Sequence, residues 1–193
     1  MRVGRKNAIR REVMDRLAER IRDHWASVCA GVRPGASQRA IEEFEAKYGV
    51  KVANELAALY RLVDGMEDSD SDDRFLHIRP LAELEPVTLP NLATSYGLLH
   101  GRGQEESDDG FLAIPPLGED KPAPLREAGR YFVFGDFLLK SHEYAVKLSS
   151  DPAAADPVVW IIGSNWETVA ATFGEFCEKY LSNPEGLYLV CFD

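Results

Sequence analysis

Over the first third of this chain the apolar residues recur every three or four positions. Beyond it they alternate or gather in runs of strand length, and helical spacing returns once near the C-terminus. A helix buries one stripe and a strand one face, so this order predicts helices first, several strands next and a helix last. Ile9, Val13, Leu17, Ile21, Trp25 and Val28 mark an amphipathic helix over 7–29. Arg10, Arg11, Arg16, Arg20 and Arg22 fall between them, and Glu12–Arg16 and Glu19–Arg22 stand at helix ion-pair spacing. The segment from Gly31 to Gly35 ends this helix. Ser37 is a good N-cap for a second helix through about Tyr48, and Gly49 sits where a helix end favours positive φ. A third helix is expected over 53–63, with Leu56, Leu59, Tyr60 and Val63 inward and Asp64-Gly65 as a closing turn.

Arg74 to Arg79 alternates as a strand does, with Pro80 after it. Residues 90–130 are the least regular part, rich in proline and glycine. Tyr131 to Phe134 reads as a strand, Gly135-Asp136 as a turn, and Phe137 to Leu139 as its continuation. Glu143 to Leu148 is another strand. Pro157 to Ile162 is the most apolar and is expected at the centre of a sheet. Val169 to Leu181 reads as a long last helix, stopped by Asn183-Pro184, and Leu187 to Phe192 as an edge strand. Short connections imply an antiparallel, or in part mixed, sheet of about five to six strands in an α+β fold with helices packed on it. Residues 1–33 form a basic helical extension. Residues 34–193 form the domain, with a long irregular insertion at about 88–130.

Charge is unevenly spread. The 193 residues carry a net −10, yet residues 1–33 hold nine basic and four acidic side chains, leaving 13 basic and 28 acidic in the remainder. An acidic body repels nucleic acid and anionic membranes and attracts cationic proteins. Cys29, Cys177 and Cys191 are too few and too scattered for a disulfide framework or a zinc cluster. No apolar run approaches a membrane span, and the basic N-terminus lacks the apolar core of a secretory signal. A cytoplasmic protein is the expectation.

Catalytic patterns are incomplete. There is no GxSxG elbow, and Ser141-His142 are neighbours that a strand would point to opposite faces, so a surface pair is expected. His24, His77 and His100 lie far apart without ligand spacing, and neither a metal nor a cofactor is expected. Gly101-Arg102-Gly103 is a lone GxG without a strand–turn–helix setting. The cluster Asp64, Glu67, Asp68, Asp70, Asp72, Asp73 fails as a calcium loop, because Asp73 stands where glycine is needed and Arg79 where glutamate is. It reads as a solvated loop that can dock a basic partner.

Ser37-Gln-Arg-Ala-Ile-Glu-Glu-Phe-Glu-Ala-Lys-Tyr-Gly49, leading through Val52 and a further helix to Asp64-Gly65, resembles the N-terminal signature of the SUKH superfamily. That superfamily includes the yeast cell-wall-assembly regulators (Smi/Knr) and many bacterial immunity proteins. Phe132-Val-Phe-Gly-Asp136 looks like the family's "FaD" strand. Val158-Val-Trp-Ile-Ile162, with Ala170-Ala-Thr-Phe-Gly-Glu-Phe176 and Tyr180-Leu181, looks like its last strand and helix. The likeness spans about 37–183, with 88–128 unaligned. Val52-Ala53 replaces the usual Leu-Pro, and Asp64 the usual Asn.

The resemblance implies an α+β, non-catalytic, protein-binding domain, of the kind that serves as an immunity protein against a nuclease-type toxin of a polymorphic toxin system. An intracellular regulatory or scaffolding module, docking through its first helix or its acidic insertion, is the alternative. The expected contacts to a basic toxin domain are Glu67, Asp68, Asp70, Asp72 and Asp73, then Glu105, Glu106, Asp108 and Asp109. No direct contact with nucleic acid or membrane is expected.

Overall fold

The structure, a computed structural model, describes residues 2–28, 31–67, 71–87, 128–137, 142–151, 154–162 and 165–188. Helix α1 (Arg2–Val28) is long, and its stripe enters the main core through Met14, Leu17, Ala18, Ile21 and Trp25. Val13, expected on that stripe, is 59% exposed. Stepping back from Trp25 in fours rotates about 40° per step. By Val13 the series has turned away, and Met14 takes the inward place. Arg16 pairs with Glu12 as the spacing predicts, whereas Arg22 takes Asp23.

Helix α2 (Gln38–Tyr48) starts where the sequence places it. Ser37 accepts from the Ala40 N–H at 3.1 Å, and Gly49 closes the helix at φ 66. Helix α3 (Asn54–Leu62) follows. Asp64-Gly65 is not a turn but lies inside strand β2 (Val63–Met66), which pairs with β1 (Val32–Pro34) in a small antiparallel ribbon. Gly65 is required by proximity as well as by its φ of 75. A Cβ there would lie 2.6 Å from the backbone of Arg79 and Pro80.

The main sheet has six antiparallel strands. Strands β3 (Leu76–Ile78) and β4 (Glu85–Pro86) lie end to end along one edge of β5 (Tyr131–Phe137). Between them the chain steps out for one 3-10 turn, Leu81–Glu83. Then come β6 (His142–Lys147), β7 (Val158–Ile162) and β8 (Asn165–Ala170). Gly135-Asp136 belongs to the interior of β5. The register slips by one residue between Val133 and Gly135, a bulge beside which the Phe134 carbonyl accepts the Arg79 N–H at 2.9 Å. Gly135 is forced by the neighbouring strand, since a Cβ would meet the His77 oxygen at 2.8 Å. The strand read over 157–162 does lie inside the sheet, flanked by β6 and β8.

The last helix is shorter than its spacing suggests. Residues 165–170 form β8, and α4 (Phe173–Ser182) runs ten residues. Thr172 sets the boundary, because its hydroxyl accepts from the Glu175 N–H at 3.1 Å while Glu175 Oε2 accepts from Ala171 N at 2.8 Å. The pair resembles a capping box, with the carboxylate reaching the N–H of the residue before the cap. A short helix, α5 (Glu185–Tyr188), follows; the rest of the expected edge strand lies outside the described residues, as does nearly all of the irregular 88–130 segment.

Phe132, Phe134, Tyr144, Val146 and Val158 of the sheet face α1–α4 in the main core. Phe134 meets Phe173 and Phe176 edge-on at 5.2 Å each. Burying each such ring contributes roughly 1.5–3 kcal/mol. Val87, Tyr131, Val133, Ala145, Val159, Ile161 and Trp166 form a second buried cluster, which strand alternation puts on the sheet's opposite face.

Two glycine substitutions separate strain from crowding. Gly49→Ala has open space around its Cβ and should lose about 1 kcal/mol for the left-handed backbone alone. Gly65→Ala adds a backbone collision and should lose roughly 3 kcal/mol. Urea unfolding of both variants checks the difference.

Candidate functional site

The acidic segment after β2 is divided by the structure into different roles. Asp64 is half-buried and accepts the Leu81 N–H at 2.7 Å, anchoring the 3-10 turn. Glu67 is exposed, and its N–H bonds to the Gly31 carbonyl at 2.8 Å. Asp73 is exposed. Asp68 and Asp70 lie outside the described residues, as do Glu105, Glu106, Asp108 and Asp109.

Asp72 corrects the sequence reading, which places it on a solvated surface. It is 4% exposed and shapes the loop from within. Its Oδ1 accepts from Arg74 N at 2.9 Å and Leu76 N at 2.8 Å. Its backbone N–H bonds to Leu76 O, and its carbonyl accepts from Phe75 N. These bonds hold Phe75 at φ 61, a left-handed backbone that a bulky residue adopts at a cost of about 1–3 kcal/mol. Phe75 is left 57% exposed beside Asp73.

Asp72 Oδ2 accepts from the Tyr180 hydroxyl, which in turn accepts from Trp25 Nε1 at 2.8 Å. Burial, with the Asp72 charge next, pushes the Tyr180 phenol far above its ordinary value, so it stays a donor. Arg74 lies over the Tyr180 ring and donates to the Tyr180 carbonyl. One relay therefore ties α1, the β2–β3 loop and α4.

His24 closes the same corner. Its ring stands edge-on to Tyr180 at 5.5 Å, and its Nε2 is buried without a hydrogen-bond partner. Asp73 Oδ1 is 3.5 Å from that nitrogen, and His24, Asp72 and Asp73 each offer a ligand atom within 4.8 Å of the others. The histidine comes from α1 and the carboxylates from a loop far along the chain, so no local spacing announces the group.

A second charged group sits at the β3 edge. Arg79 donates to Glu143 and lies 3.8 Å from Asp136 Oδ2, with all three side chains mostly buried. Glu143 and Asp136 are cross-strand partners on β6 and β5, so the guanidinium serves two carboxylates that would otherwise repel each other. Tyr60 donates to the Arg79 carbonyl at 2.9 Å. One guanidinium thus serves both carboxylates and offsets the charge of one of them.

His142 is the other correction. It is buried, not at the surface, and stacks on Phe137 at 4.7 Å. Tyr144 gives its single proton to the Leu187 carbonyl, so His142 Nε2, 3.1 Å from that hydroxyl, is the nitrogen that donates. Burial lowers the His142 pKa from 6.5 to about 4. Ser141 lies outside the described residues. Cys177 is buried in α4, and burial pushes its thiol well up, away from nucleophilic use.

Neither a family model nor a curated protein matches the chain. Among the described residues, no helix is long and apolar enough to cross a membrane.

Two measurements follow. Asp72→Asn keeps one carbonyl oxygen but leaves the Tyr180 proton without its acceptor, and should destabilise by roughly 1–3 kcal/mol. Asp73→Asn, at an exposed position, should stay within about 0.5 kcal/mol. Denaturant unfolding of the pair checks this. For His142 the folded pKa lies below the unfolded one, so its contribution is complete above pH 6.5 and is lost as pH falls from there toward about 4. Across that window the group's slope approaches about 1.4 kcal/mol per pH unit. His142→Phe should flatten the acid side of a stability–pH curve; an unchanged slope would mean other groups set it.

Proposed function

We propose that this chain is a non-catalytic protein-binding domain that neutralises a basic, nuclease-type bacterial toxin in the manner of a SUKH immunity protein. The observation that carries the reading is the charge partition: 28 acidic against 13 basic side chains in residues 34–193. A nuclease domain grips phosphates and is therefore cationic, so an acidic inhibitor meets it quickly and in a defined orientation. The α+β architecture is in keeping with this. So is the packing of Phe134 from the FaD-like strand against Phe173 and Phe176 from the helix motif.

The proposed contacts are Glu67 and Asp73, both exposed, with Asp68 and Asp70 between them in sequence and, further along the chain, Glu105, Glu106, Asp108 and Asp109. Asp72 leaves this set because its carboxylate is engaged inside the fold. The alternative is a regulatory module docking through its first helix or its acidic insertion; Leu17, Ala18, Ile21 and Trp25 already lie in the chain's own core, which speaks against the helix as the docking segment.

Co-expression with the toxin-like product of a neighbouring gene tests the reading. Growth rescue and a complex at low salt are expected, with an association rate that falls steeply as salt is added. Neither rescue nor complex would overturn it. Reversing Glu67, Asp68, Asp70 and Asp73 to lysine should weaken that complex at least tenfold, while the changes at exposed Glu67 and Asp73 each cost the fold less than about 0.5 kcal/mol. Unchanged affinity would remove this loop from the interface.

A further inference from the structure

We infer that His24, Asp73 and Asp72 form a binding site for a first-row transition dication of the Zn²⁺ type. Two features of the corner carry it. The first is His24: its Nε2 is buried and makes no hydrogen bond, and His24, Asp72 and Asp73 each offer a ligand atom within 4.8 Å of the others. A buried imidazole nitrogen without a partner forfeits its hydration, and a metal restores what was lost.

The second is a distance. Nε2 and Asp73 Oδ1 are 3.5 Å apart, too far for a good hydrogen bond. Two ligands on a tetrahedral Zn²⁺ with bonds of 2.0–2.2 Å stand about 3.4 Å apart. The pair, at ion-pair distance, is thus also spaced as two ligands of one ion would be.

Asp72 completes the set through an oxygen that keeps acceptor capacity. Its Oδ1 receives two backbone N–H groups and its Oδ2 the Tyr180 hydroxyl. These bonds fix the carboxylate, as outer hydrogen bonds fix a ligating carboxylate in metal sites. One imidazole and two carboxylates leave a neutral complex with a dication, and a water takes the fourth position. An imidazole ligand selects zinc-like ions over Mg²⁺ and Ca²⁺, which take oxygen. The bound ion fastens α1 to the β2–β3 loop and lowers the negative charge of that loop.

Titration of the full chain with CoCl₂ and ZnCl₂ tests the site. One Co²⁺ per chain with the visible bands of tetrahedral coordination, displaced by Zn²⁺, is expected, together with a Zn²⁺-dependent rise in Tm. Affinity should fall at least tenfold in His24→Gln and in Asp73→Asn, and MgCl₂ should give no rise. Both variants change partly exposed side chains, so they should fold as the parent does, which far-ultraviolet circular dichroism checks. Absence of Co²⁺ binding by the parent chain overturns the assignment. So does equal binding by parent and variants, which would place the metal on the cysteines instead.

Discussion

A carboxylate withdrawn from water must be surrounded by donors, and Asp72 is surrounded completely enough to organise three distant parts of the chain. Two backbone N–H groups of its own loop and the Tyr180 hydroxyl converge on it, and Trp25 reaches the same hydroxyl from α1. Removing any donor leaves a buried charge under-solvated, which costs far more than one ordinary hydrogen bond. Helix α1 enters the core through an apolar stripe, which is adhesive but has no direction. The relay supplies the direction, because it specifies where Trp25 must sit against α4.

The sheet solves a related problem at its edge. The β3–β4 segment must pair with β5, yet it departs for a 3-10 turn midway. A bulge in β5 and the absence of a side chain at Gly135 let the two strands stay close on either side of that departure. Asp64 then caps the turn at Leu81, and Arg79 reaches both carboxylates of the cross-strand pair Asp136–Glu143 beyond the bulge. The carboxylates at this edge are engaged by a buried arginine, in contrast to the β2–β3 loop, where Glu67 and Asp73 stay in solvent.

That contrast separates acidic residues that build the fold from those free to meet a partner. The same corner also places an unsatisfied imidazole nitrogen beside two carboxylates. A cation there and a basic protein at the loop would act on the same charge, one from inside and the other from outside.

Much of the framework was legible in the sequence because it rests on local physics. The Ser37 cap, the left-handed Gly49, the stripe through Leu17, Ile21 and Trp25 and the interior strand over 158–162 each follow from spacing or from one residue's backbone preference. Errors arose where a neighbour distant in sequence decides. Gly65 and Gly135 look like turn residues, but each is there because a neighbouring segment's backbone passes within 3 Å of where a Cβ would stand. Residues 165–170 join a sheet edge instead of extending α4, since pairing with β7 satisfies their backbone. Asp72 looks solvated because aspartate usually is, and only the arrival of Tyr180 and the turn of its own loop bury it. The sequence by itself determined the α+β composition of elements and the acidic balance, since periodicity and charge are properties of the chain alone. Which carboxylates are spent inside the molecule, and that His24 meets Asp73, only the tertiary structure decided, because burial is set by what the rest of the chain brings alongside.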